Sequence, residues 1–397
     1  MPSYPLVPPS PSTARRSVDV AVVGAGAIGL AVAVQLRRRG VERVLVIDAA
    51  AAPGAGSTSR ANGGVRAQFS TRINVMFSQH TIRELMALDE SSGGLVGYRS
   101  CGYLLLCGSE RTVELQREAF ELQRSLGVPV RWLDPDEVRS HTPFVRVDGL
   151  RGATFCATDG VIDPHGVVSA LHREGMRLDV AYAFDAQVRE ITRGSGAVRV
   201  SGDGLEVECE WVVNAAGAHA AEIAAMAELA LPVVPRRRNL VCTEHVPGFP
   251  RTAPMCVDVD TGVLIRPEGD GVLVGYTPRN GPVTFDTAFE PAFLEEIATR
   301  IGNRFPFLAH VPVNQRKCWA GLYPETPDHH AIIDAVPEQP WFIQCAGFGG
   351  HGIMHSMAAG SAVAELITDG GCSTFDLAPL RLGRFDGAQL DDERAVF

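Results

Sequence analysis

The chain has 397 residues, 46% of them hydrophobic, and a formal net charge of −10. This length supplies a large core and predicts two or three structural domains. The acidic balance argues against nucleic-acid and anionic-membrane partners, because no Lys/Arg cluster would supply the charge that neutralises phosphates. The nine cysteines include no CxxC pair, which argues against a disulfide framework and an iron–sulfur relay and favours a reducing, cytoplasmic location.

Residues 1–17 are rich in Pro and Ser and carry Arg15 and Arg16 just before an apolar run. An export signal or a membrane span could have the same appearance. The apolar run nevertheless holds Asp19 and Gln35 and has no small-residue cleavage site. We therefore expect a disordered tail over 1–17, followed by a buried strand.

From residue 18 to 49 the sequence reads as strand, glycine-rich turn, helix and strand. An apolar run enters Gly24-Ala25-Gly26-Ala27-Ile28-Gly29, a helix is predicted to about Arg39, and a second strand, Val44 to Ile47, ends on Asp48. In this pattern Gly24 permits a tight turn, Gly26 lets a pyrophosphate approach the backbone, and Gly29 lets the helix pack closely on the strand. The carboxylate of Asp48 would accept hydrogen bonds from the ribose hydroxyls. The stretch therefore predicts a dinucleotide site, and its acid argues against NADP.

Small residues dominate the next loop, Gly54 to Phe69, which contains Ser59-Arg60-Ala61-Asn62-Gly63-Gly64-Val65-Arg66. Such density usually means only a flexible loop. Directly after the ribose acid, however, it suits a backbone that must contact a flat ring. Helical spacing resumes from Ile73 to Leu88.

Two further blocks combine a strand with a turn of small residues. The first runs from Glu210 to Asn214 and into Ala215-Ala216-Gly217-Ala218-His219, although an ordinary buried strand end would look the same. The second comprises WAGLYPETPDHH at 319–330 and GFGGHG at 347–352. A helix predicted from there to about Thr368 would direct its positive end at whatever lies over this turn.

In their order and separations these four blocks resemble the D-amino-acid oxidase-like family of FAD-dependent oxidoreductases, which includes glycine oxidase, sarcosine oxidases, dimethylglycine-type enzymes and the proline dehydrogenase β subunit. The resemblance covers the chain from Val18 to about Gly370. It implies an α/β fold in which a Rossmann-type FAD-binding domain is interleaved with an α+β substrate domain built on an antiparallel sheet. The implied segments are 18–95, 142–225 and 318–372 for the FAD-binding domain, 96–141 and 226–317 for the substrate domain, and 373–397 for a C-terminal tail. The antiparallel sheet would contain the β-prone runs Val241 to Thr243, Gly262 to Arg266 and Gly271 to Tyr276.

The resemblance also implies where FAD binds. The glycine-rich turn and Asp48 would hold the adenosine diphosphate half, the loop after them would line the isoalloxazine, and the GFGGHG turn would border its pyrimidine end. A helix dipole near the flavin would stabilise its reduced form. The implied cofactor residues are Gly24, Gly26, Ala27, Ile28, Gly29, Asp48, Ala49, Ser59, Arg60, Ala61, Asn62, Gly63, Gly64, Val65, Ala216, Gly217, Gly321, Gly349, Gly350, His351, Gly352, Ile353 and Met354.

Departures from the family predict non-covalent FAD. In monomeric sarcosine oxidase the position matching Gly321 resembles a Cys that is covalently linked to FAD, and Cys318 lies three residues out of register. The His that holds a covalent FMN in two-flavin β subunits has no counterpart at 161–163. His165 follows Pro164 and is interpreted as a helix-start residue.

Four histidines, His329, His330, His351 and His355, could suggest a metal site. They lie on Gly/Pro-rich loops without a carboxylate or Cys that would complete a ligand set, so no metal is expected. His330 and His351 are expected instead at the flavin edge or in the substrate pocket. Tyr276 could wall this pocket or belong to the core.

Tyr323 bears on the choice of substrate. In the glycine oxidase and D-amino-acid oxidase branch, the matching position resembles one held by an Arg that grips the substrate carboxylate with two hydrogen bonds. Tyr323 therefore argues against primary D-amino acids, although Arg266 or Arg316 could substitute. The sequence resembles the sarcosine and dimethylglycine branch more closely. In that branch the substrate carboxylate is held from the loop that here carries Arg66, so Arg66 is the predicted carboxylate ligand. The alternative for Arg66 is a structural or phosphate-side role.

The predicted reaction is FAD-dependent oxidation of the C–N bond of a small secondary or N-methylated amino acid, resembling sarcosine, dimethylglycine or proline. Hydride transfer to flavin N5 would give an imine, and the protein would supply orientation and electrostatics. The predicted catalytic residues are Arg66, Tyr276, Tyr323, His330 and His351.

The expected partners are an amine or amino-acid substrate and oxygen or another electron acceptor. Two lysines of monomeric sarcosine oxidases, one thought to activate oxygen, would fall near Leu273 and Met354, which are apolar, so a dehydrogenase stays open. Oxidation of a 2-hydroxy acid or a primary amino acid remains an alternative. So does an FAD-binding subunit that is active only with a partner chain.

Overall fold

The computed structural model describes residues 16–278, 281–387 and 390–396. Most of the predicted tail, 1–15, lies outside the described residues. Arg16 and Ser17, which we assigned to that tail, instead begin the first strand.

The strands and helices follow one another in a mixed order. The strands are β1 Arg16–Val23, β2 Val44–Ile47, β3 Gly64–Val65, β4 Tyr103–Cys107, β5 Val130–Leu133, β6 Gly152–Cys156, β7 Gly160–Val161, β8 Ala181–Ala183, β9 Val188–Arg193, β10 Val198–Gly202, β11 Leu205–Asn214, β12 Val234–Cys242, β13 Met255–Asp258, β14 Val263–Glu268, β15 Gly271–Tyr276, β16 Trp319–Glu325, β17 Ile332–Ala335 and β18 Phe342–Ala346. The helices are α1 Ala27–Arg38, α2 Arg72–Ser91, α3 Glu110–Ser125, α4 Pro135–His141, α5 Pro164–Arg177, α6 Ala220–Ala225, α7 Phe293–Ile301 and α8 Gly352–Thr368. Within this order the predicted strand at Val44, the helix predicted at Ile73 to Leu88 and the helix predicted to Thr368 are confirmed.

The first sheet has the order β17-β18-β11-β1-β2-β8, and the hairpin of β9 and β10 extends it from β11. Strand β1 runs parallel to both β11 and β2. Such strands are apolar along their whole length because helices cover the faces of a parallel sheet. All four residues of β2, Val-Leu-Val-Ile, are accordingly buried.

Helices α1 and α8 pack closely beside this sheet. A Cβ atom at Gly360 of α8 would lie 2.8 Å from the backbone of Ala31 in α1. The glycine therefore permits a backbone-to-backbone approach that a larger residue would prevent. This contact holds α1 against α8, and the glycine-rich sequence forms the start of α1.

The second sheet has the order β16-β12-β15-β14-β13-β4-β6-β5. Strands β12, β15 and β14 pair antiparallel, as predicted from their β-prone runs. One face carries a separate apolar cluster that includes Val241, Val272 and Val274, together with Phe293 and Ile297 of α7. The mixed α/β architecture predicted from the sequence is confirmed.

Two predicted domain boundaries differ from the strand pairing. Strand β6 falls in the segment 142–225, which we assigned to the FAD-binding domain, yet it is hydrogen-bonded to β4 and β5. Strand β16 falls in the segment 318–372 but pairs with β12 along its whole length. Both strands thus belong to the second sheet, because their apolar residues complete its surface rather than that of the first.

The segment predicted as a C-terminal tail packs onto the body of the protein where it is described. Phe375, Leu377 and Leu380 are buried in the core that contains α1 and α8. Glu393 is buried as well and accepts hydrogen bonds from Asn74 and from Thr71, which precedes α2. Among the helices of the described residues, none is long and apolar enough to cross a membrane.

Candidate active site

The glycine-rich turn after β1 is shaped by steric contacts at two of its glycines. Gly24 has a φ of 111°, and a Cβ there would clash with the carbonyl oxygen of Ala215. A Cβ at Gly29 would clash with the carbonyl oxygen of Gly24. The turn therefore presses against the end of β11 on one side and against its own helix on the other, as the dinucleotide pattern requires.

The first residues of α1 line the cavity that is described below. Among the described residues no side chain caps the helix at Gly26, although the amide of Ala27 donates to Thr58 Oγ1 at 3.1 Å. Helix N-termini of this kind bind phosphates through free N–H groups and the helix dipole. Asp48 lies beside them, with Oδ2 accepting from the amide of Ala25 at 2.6 Å and Oδ1 from the amide of Ala50 at 2.8 Å.

A cavity of about 520 Å³ begins at this turn and extends to the second sheet. Its volume lies within the usual range for cofactor and small-molecule sites. Most of the predicted cofactor residues line it, namely Gly24, Gly26, Ala27, Ile28, Asp48, Ala49, Arg60, Ala61, Asn62, Gly63, Gly64, Ala216, Gly217, Gly321, Gly349, Gly350, Gly352, Ile353 and Met354.

Four predicted cofactor residues are not part of the cavity lining. Gly29 packs inside the turn, as described above. Val65 is completely buried in the core, and the hydroxyl of Ser59 donates to the carbonyl oxygen of Gly56. His351 is buried against Phe69, with ring centroids 4.8 Å apart.

The second sheet contributes the far wall of the cavity. Gly321 and Tyr323 on β16 line it, and a Cβ at Gly321 would lie 2.9 Å from Cβ of Arg60. A Cβ at Gly350 would lie 2.6 Å from the ring of Tyr323. Small residues thus bring the loop after β2 and the turn before α8 into contact with β16.

Two of the predicted catalytic residues, Tyr276 and Tyr323, line the cavity. The ring of Tyr276 lies under the guanidinium of Arg300, with 4.0 Å from Cζ to the ring centroid, and stacks on Phe293 of α7. Tyr276 therefore belongs partly to the core of the second sheet. Burial raises the pKa of Tyr323, which keeps its hydroxyl protonated near neutral pH.

Arg66 does not line the cavity. Its guanidinium is buried, donates to the carbonyl oxygens of Gln68 and Ala395, and lies 4.1 Å from the ring centroid of Phe69. These contacts correspond to the structural role that we left open for this residue. Tyr103 of β4 flanks it on the other side.

His330 and His351 also lie behind the cavity rather than in its wall. The ring of His330 is hydrogen-bonded to Thr71 Oγ1 and to the carbonyl oxygen of Asp328, each at 3.1 Å. Burial and the nearby Arg66 guanidinium lower the pKa of His351 well below its usual value, so that its imidazole is neutral at pH 7.

Several residues that line the cavity were not singled out from the sequence. Arg238 and Leu240 of β12 contribute to the second-sheet wall, and His219 and Phe285 lie together at another part of the lining. The run Arg236-Arg237-Arg238 could have drawn attention to Arg238, because three arginines within a β-prone segment require acidic partners. We find no group of three or more His, Cys, Asp or Glu in the described part of the chain that could hold a metal ion.

The comparisons with known proteins agree with this geometry. The model of the FAD dependent oxidoreductase family matches residues 19–366. The chain belongs to this family. FAD dependent oxidoreductase domain-containing protein 1 of Bos taurus is 30% identical, over 99% of this chain and 89% of that protein. The mitochondrial sarcosine dehydrogenase of Mus musculus is 26% identical over 93% of this chain but only 41% of its own length. The crystal structure of L-proline dehydrogenase from P. horikoshii superposes with a TM-score of 0.88 at 26% identity, covering 95% of this chain and 100% of that one.

Membership of the family makes the protein an FAD-dependent oxidoreductase, and the residues present fit that cofactor. Gly24 and Gly29 are glycines whose Cβ atoms would clash with neighbouring backbone, and the open start of α1 suits a pyrophosphate. The carboxylate of Asp48 lines the cavity next to this turn, where a ribose hydroxyl would be recognised. FAD and the oxidoreductase class, both predicted from the sequence, are confirmed.

Proposed function

We propose that the protein oxidises the C–N bond of a small secondary or N-methylated amino acid, such as a sarcosine- or proline-like compound. The observation that supports this most directly is that Tyr323 lines the cavity. Its position resembles the one that an Arg holds in the glycine oxidase branch. Two of the similar proteins are named as dehydrogenases of L-proline and of sarcosine, and both of these compounds are secondary amines.

The glycine-rich turn, Asp48 and the loop from Arg60 to Gly64 would hold FAD, which when bound would supply an acceptor for the hydride from the carbon next to the amine nitrogen. The chain itself supplies orientation and a dry surface for this step. Leu240 and Leu264, both buried, form the apolar part of the second-sheet wall. The hydroxyl of Tyr323 stays protonated there and can donate one hydrogen bond to the substrate. Loss of that hydride, together with loss of the N–H proton of a secondary amine to water, would leave an imine, and water would hydrolyse the imine to a carbonyl compound and an amine.

The cavity lining favours an acceptor other than oxygen. Leu273 is completely buried in the second sheet, and Met354 lines the cavity at the start of α8. Neither offers the charge of the two lysines that the resemblance to monomeric sarcosine oxidases would place at these positions, one of which is thought to activate oxygen. We therefore favour a dehydrogenase over an oxidase.

FAD is proposed to be held without a covalent bond. Gly321 has no side chain to form one, and the thiol of Cys318 donates to the carbonyl oxygen of Asn314 outside the cavity lining. Precipitating the yellow protein with acid should leave all of the flavin in the supernatant. Flavin that remains with the pellet would show a covalent link.

An anaerobic absorbance experiment tests the proposed reaction. Sarcosine, dimethylglycine, L- and D-proline, glycine, D-alanine and 2-hydroxy acids are added separately to the flavin-loaded protein. Bleaching by a secondary or N-methylated amine, with slow recovery in air, is expected. Bleaching only by primary D-amino acids or only by 2-hydroxy acids would contradict the proposal. No bleaching until a second protein is added would instead favour the FAD-binding subunit.

A further inference from the structure

Two arginines of β12 share a single buried carboxylate. Arg238 donates through Nη2 to Glu325 Oε1, and Arg236 Nε lies 3.1 Å from Glu325 Oε2. The side chains of Arg238 and Glu325 are only 6% and 7% exposed. Two guanidinium groups and one carboxylate give this cluster a net charge of +1, and the side chain of Arg236, which is 27% exposed, keeps part of that charge in contact with solvent. The positive charge would stabilise a further anion at the buried end of the cluster.

Arg238 stands opposite Gly321 in the antiparallel pair of β12 and β16. Directly opposed residues project from the same face of a sheet, about 5 Å apart at Cβ. That face is the one where Gly321 meets Arg60 of the loop predicted to line the isoalloxazine. Cζ of Arg238 is also 5.4 Å from the ring centroid of Tyr323. Arg238 thus borders the cavity at its predicted flavin end.

The guanidinium of Arg238 retains donors for a ligand. Arginine has five N–H donors. The contacts given by described residues are those of Nη2 with Glu325 and of Nη1 with the carbonyl oxygen of Arg237 at 3.1 Å. Nε has no hydrogen-bond partner among the described residues but is buried, so the donors that remain for a ligand are the second N–H groups of Nη1 and Nη2.

The neighbouring Arg237 shows why this feature of Arg238 matters. Nε of Arg237 also lacks a partner among the described residues, but Nη1 and Nη2 bind two carboxylates, Asp286 at 2.8 Å and Glu290 at 2.7 Å. Its charge is therefore already compensated, and it does not line the cavity. Of these two adjacent arginines, only Arg238 combines a surplus of positive charge with a place in the cavity wall.

Two other arginines considered from the sequence are less suited to bind a substrate carboxylate. Arg266 donates through Nε to the carbonyl oxygen of Asn62 at 2.6 Å and is paired with Glu268 at the same distance. Arg316 is exposed. Neither lines the cavity.

We propose that Arg238 binds the carboxylate of the amino-acid substrate and that Glu325 competes with that carboxylate for the same guanidinium. This inference rests on the proposed function and names the group that selects amino acids over simple amines. The substrate carboxylate brings the net charge of the cluster from +1 to zero. Arg238 would therefore take the role that the sequence suggested for Arg66.

The test uses two ligands that cannot be oxidised at nitrogen. Tetrahydro-2-furoate carries a carboxylate on a proline-sized ring, and tetrahydro-2-furamide replaces that carboxylate with a neutral amide. Each is titrated into the flavin-loaded protein, and Kd is measured from the change in flavin absorbance. We expect the carboxylate to bind more tightly than the amide.

Four variants separate the possible roles. R238Q should raise Kd for the carboxylate about 10- to 100-fold, as expected for the loss of hydrogen bonds to a charged group, and change Kd for the amide less than about 3-fold. R238K keeps the positive charge but lacks the planar guanidinium group, so its Kd for the carboxylate should lie between those of the wild type and R238Q. E325Q removes the competing carboxylate and should lower Kd for the carboxylate. R237Q, the matched control, should leave the preference unchanged.

The opposite response of R238Q and E325Q is the decisive feature. If the pair were only structural, both variants would weaken ligand binding together, and that result would overturn the proposal. So would a wild-type protein without preference for the carboxylate, or loss of the preference in R66Q but not in R238Q. Kd for FAD, measured on each variant, verifies that the fold is intact.

The experiment can fail independently of the proposed reaction. Both ligands report binding without turnover, so an Arg238-dependent preference would stand even if no secondary amine bleached the flavin. Conversely, a secondary amine that is oxidised by R238Q with an unchanged KM would overturn the role of Arg238 and leave the proposed reaction intact.

Discussion

The ring of Phe285 stacks on the imidazole of His219, with centroids 4.6 Å apart and planes 10° from parallel. Both residues line the cavity, yet His219 follows β11 of the first sheet and Phe285 lies between β15 and α7 of the second. The stack therefore joins two parts of the cavity wall that belong to different sheets. Arg237 anchors the segment of Phe285 by its ion pairs with Asp286 and Glu290.

The first prediction is that F285A releases FAD more readily. Loss of an aromatic pair worth about 0.5–1.5 kcal/mol should raise Kd for FAD roughly 2- to 10-fold. Kd for FAD is measured from the recovery of flavin fluorescence when FAD dissociates. V283A is the control, because Val283 is 57% exposed on the same segment and does not line the cavity. Equal Kd values for the two variants would show that the stack does not retain the cofactor.

The second prediction concerns the glycine-rich turn. G24A should abolish FAD binding, because it combines a positive φ with a clash against the carbonyl oxygen of Ala215. G40A separates the two effects, since Gly40 has a φ of 87° but no atom within 4 Å of a Cβ. We expect G40A to cost about 1 kcal/mol of unfolding free energy and to bind FAD normally. FAD binding by G24A comparable to that of G40A would contradict this reading of the turn.

The third prediction concerns stability in acid. Burial alone would raise the pKa of Glu365, but hydrogen bonds from Thr374 and Ser373 outweigh it and lower the pKa to about 2. A carboxyl with a lowered folded-state pKa stabilises the protein above its unfolded pKa of 4.5, and this contribution is lost as the pH falls toward 2. It is on the order of 3 kcal/mol at pH 7.

Urea unfolding of wild type and E365Q across pH 7 to 3 measures this effect. The difference in unfolding free energy should be largest at pH 7 and shrink below about pH 4.5. D369N is a suitable control, because Asp369 pairs with the same Arg39 but its side chain is 50% exposed. A difference for E365Q that does not change with pH would rule out the carboxylate as its origin.

The fourth prediction concerns the buried carboxylate of Glu393. It accepts hydrogen bonds from Ser70, Thr71 and Asn74 at the start of α2, where a negative charge is also favoured by the helix dipole. E393A should therefore lower the unfolding free energy by about 2–4 kcal/mol. R394A removes only a surface ion pair with Glu118 and should cost less than about 1 kcal/mol. Similar losses in the two variants would mean that the segment is not firmly docked.

The sequence predicted the local elements around the cofactor well, because each depends on residues close together in the chain. Val44 to Ile47 and the helix before it follow from the spacing of apolar residues and glycines. The role of Arg66 could not be read in the same way. One of the two carbonyl oxygens to which it donates belongs to Ala395, 329 residues further along.

Arg238 was missed for a related reason. Its carboxylate partner, Glu325, lies 87 residues away and approaches only because β12 and β16 pair in one register. The pairing of β6 with the second sheet could not be predicted for the same reason, since strand propensity does not say which sheet a strand joins. Cytoplasmic location and a partner subunit stay predictions.

The second sheet draws its strands from three separate stretches of the chain, 103–156, 234–276 and 319–325. The first sheet uses the stretches between and around them. Neither sheet can therefore be cut out as one continuous piece. Fragments expressed separately should therefore fail to form the cavity unless they are produced together and reassociate.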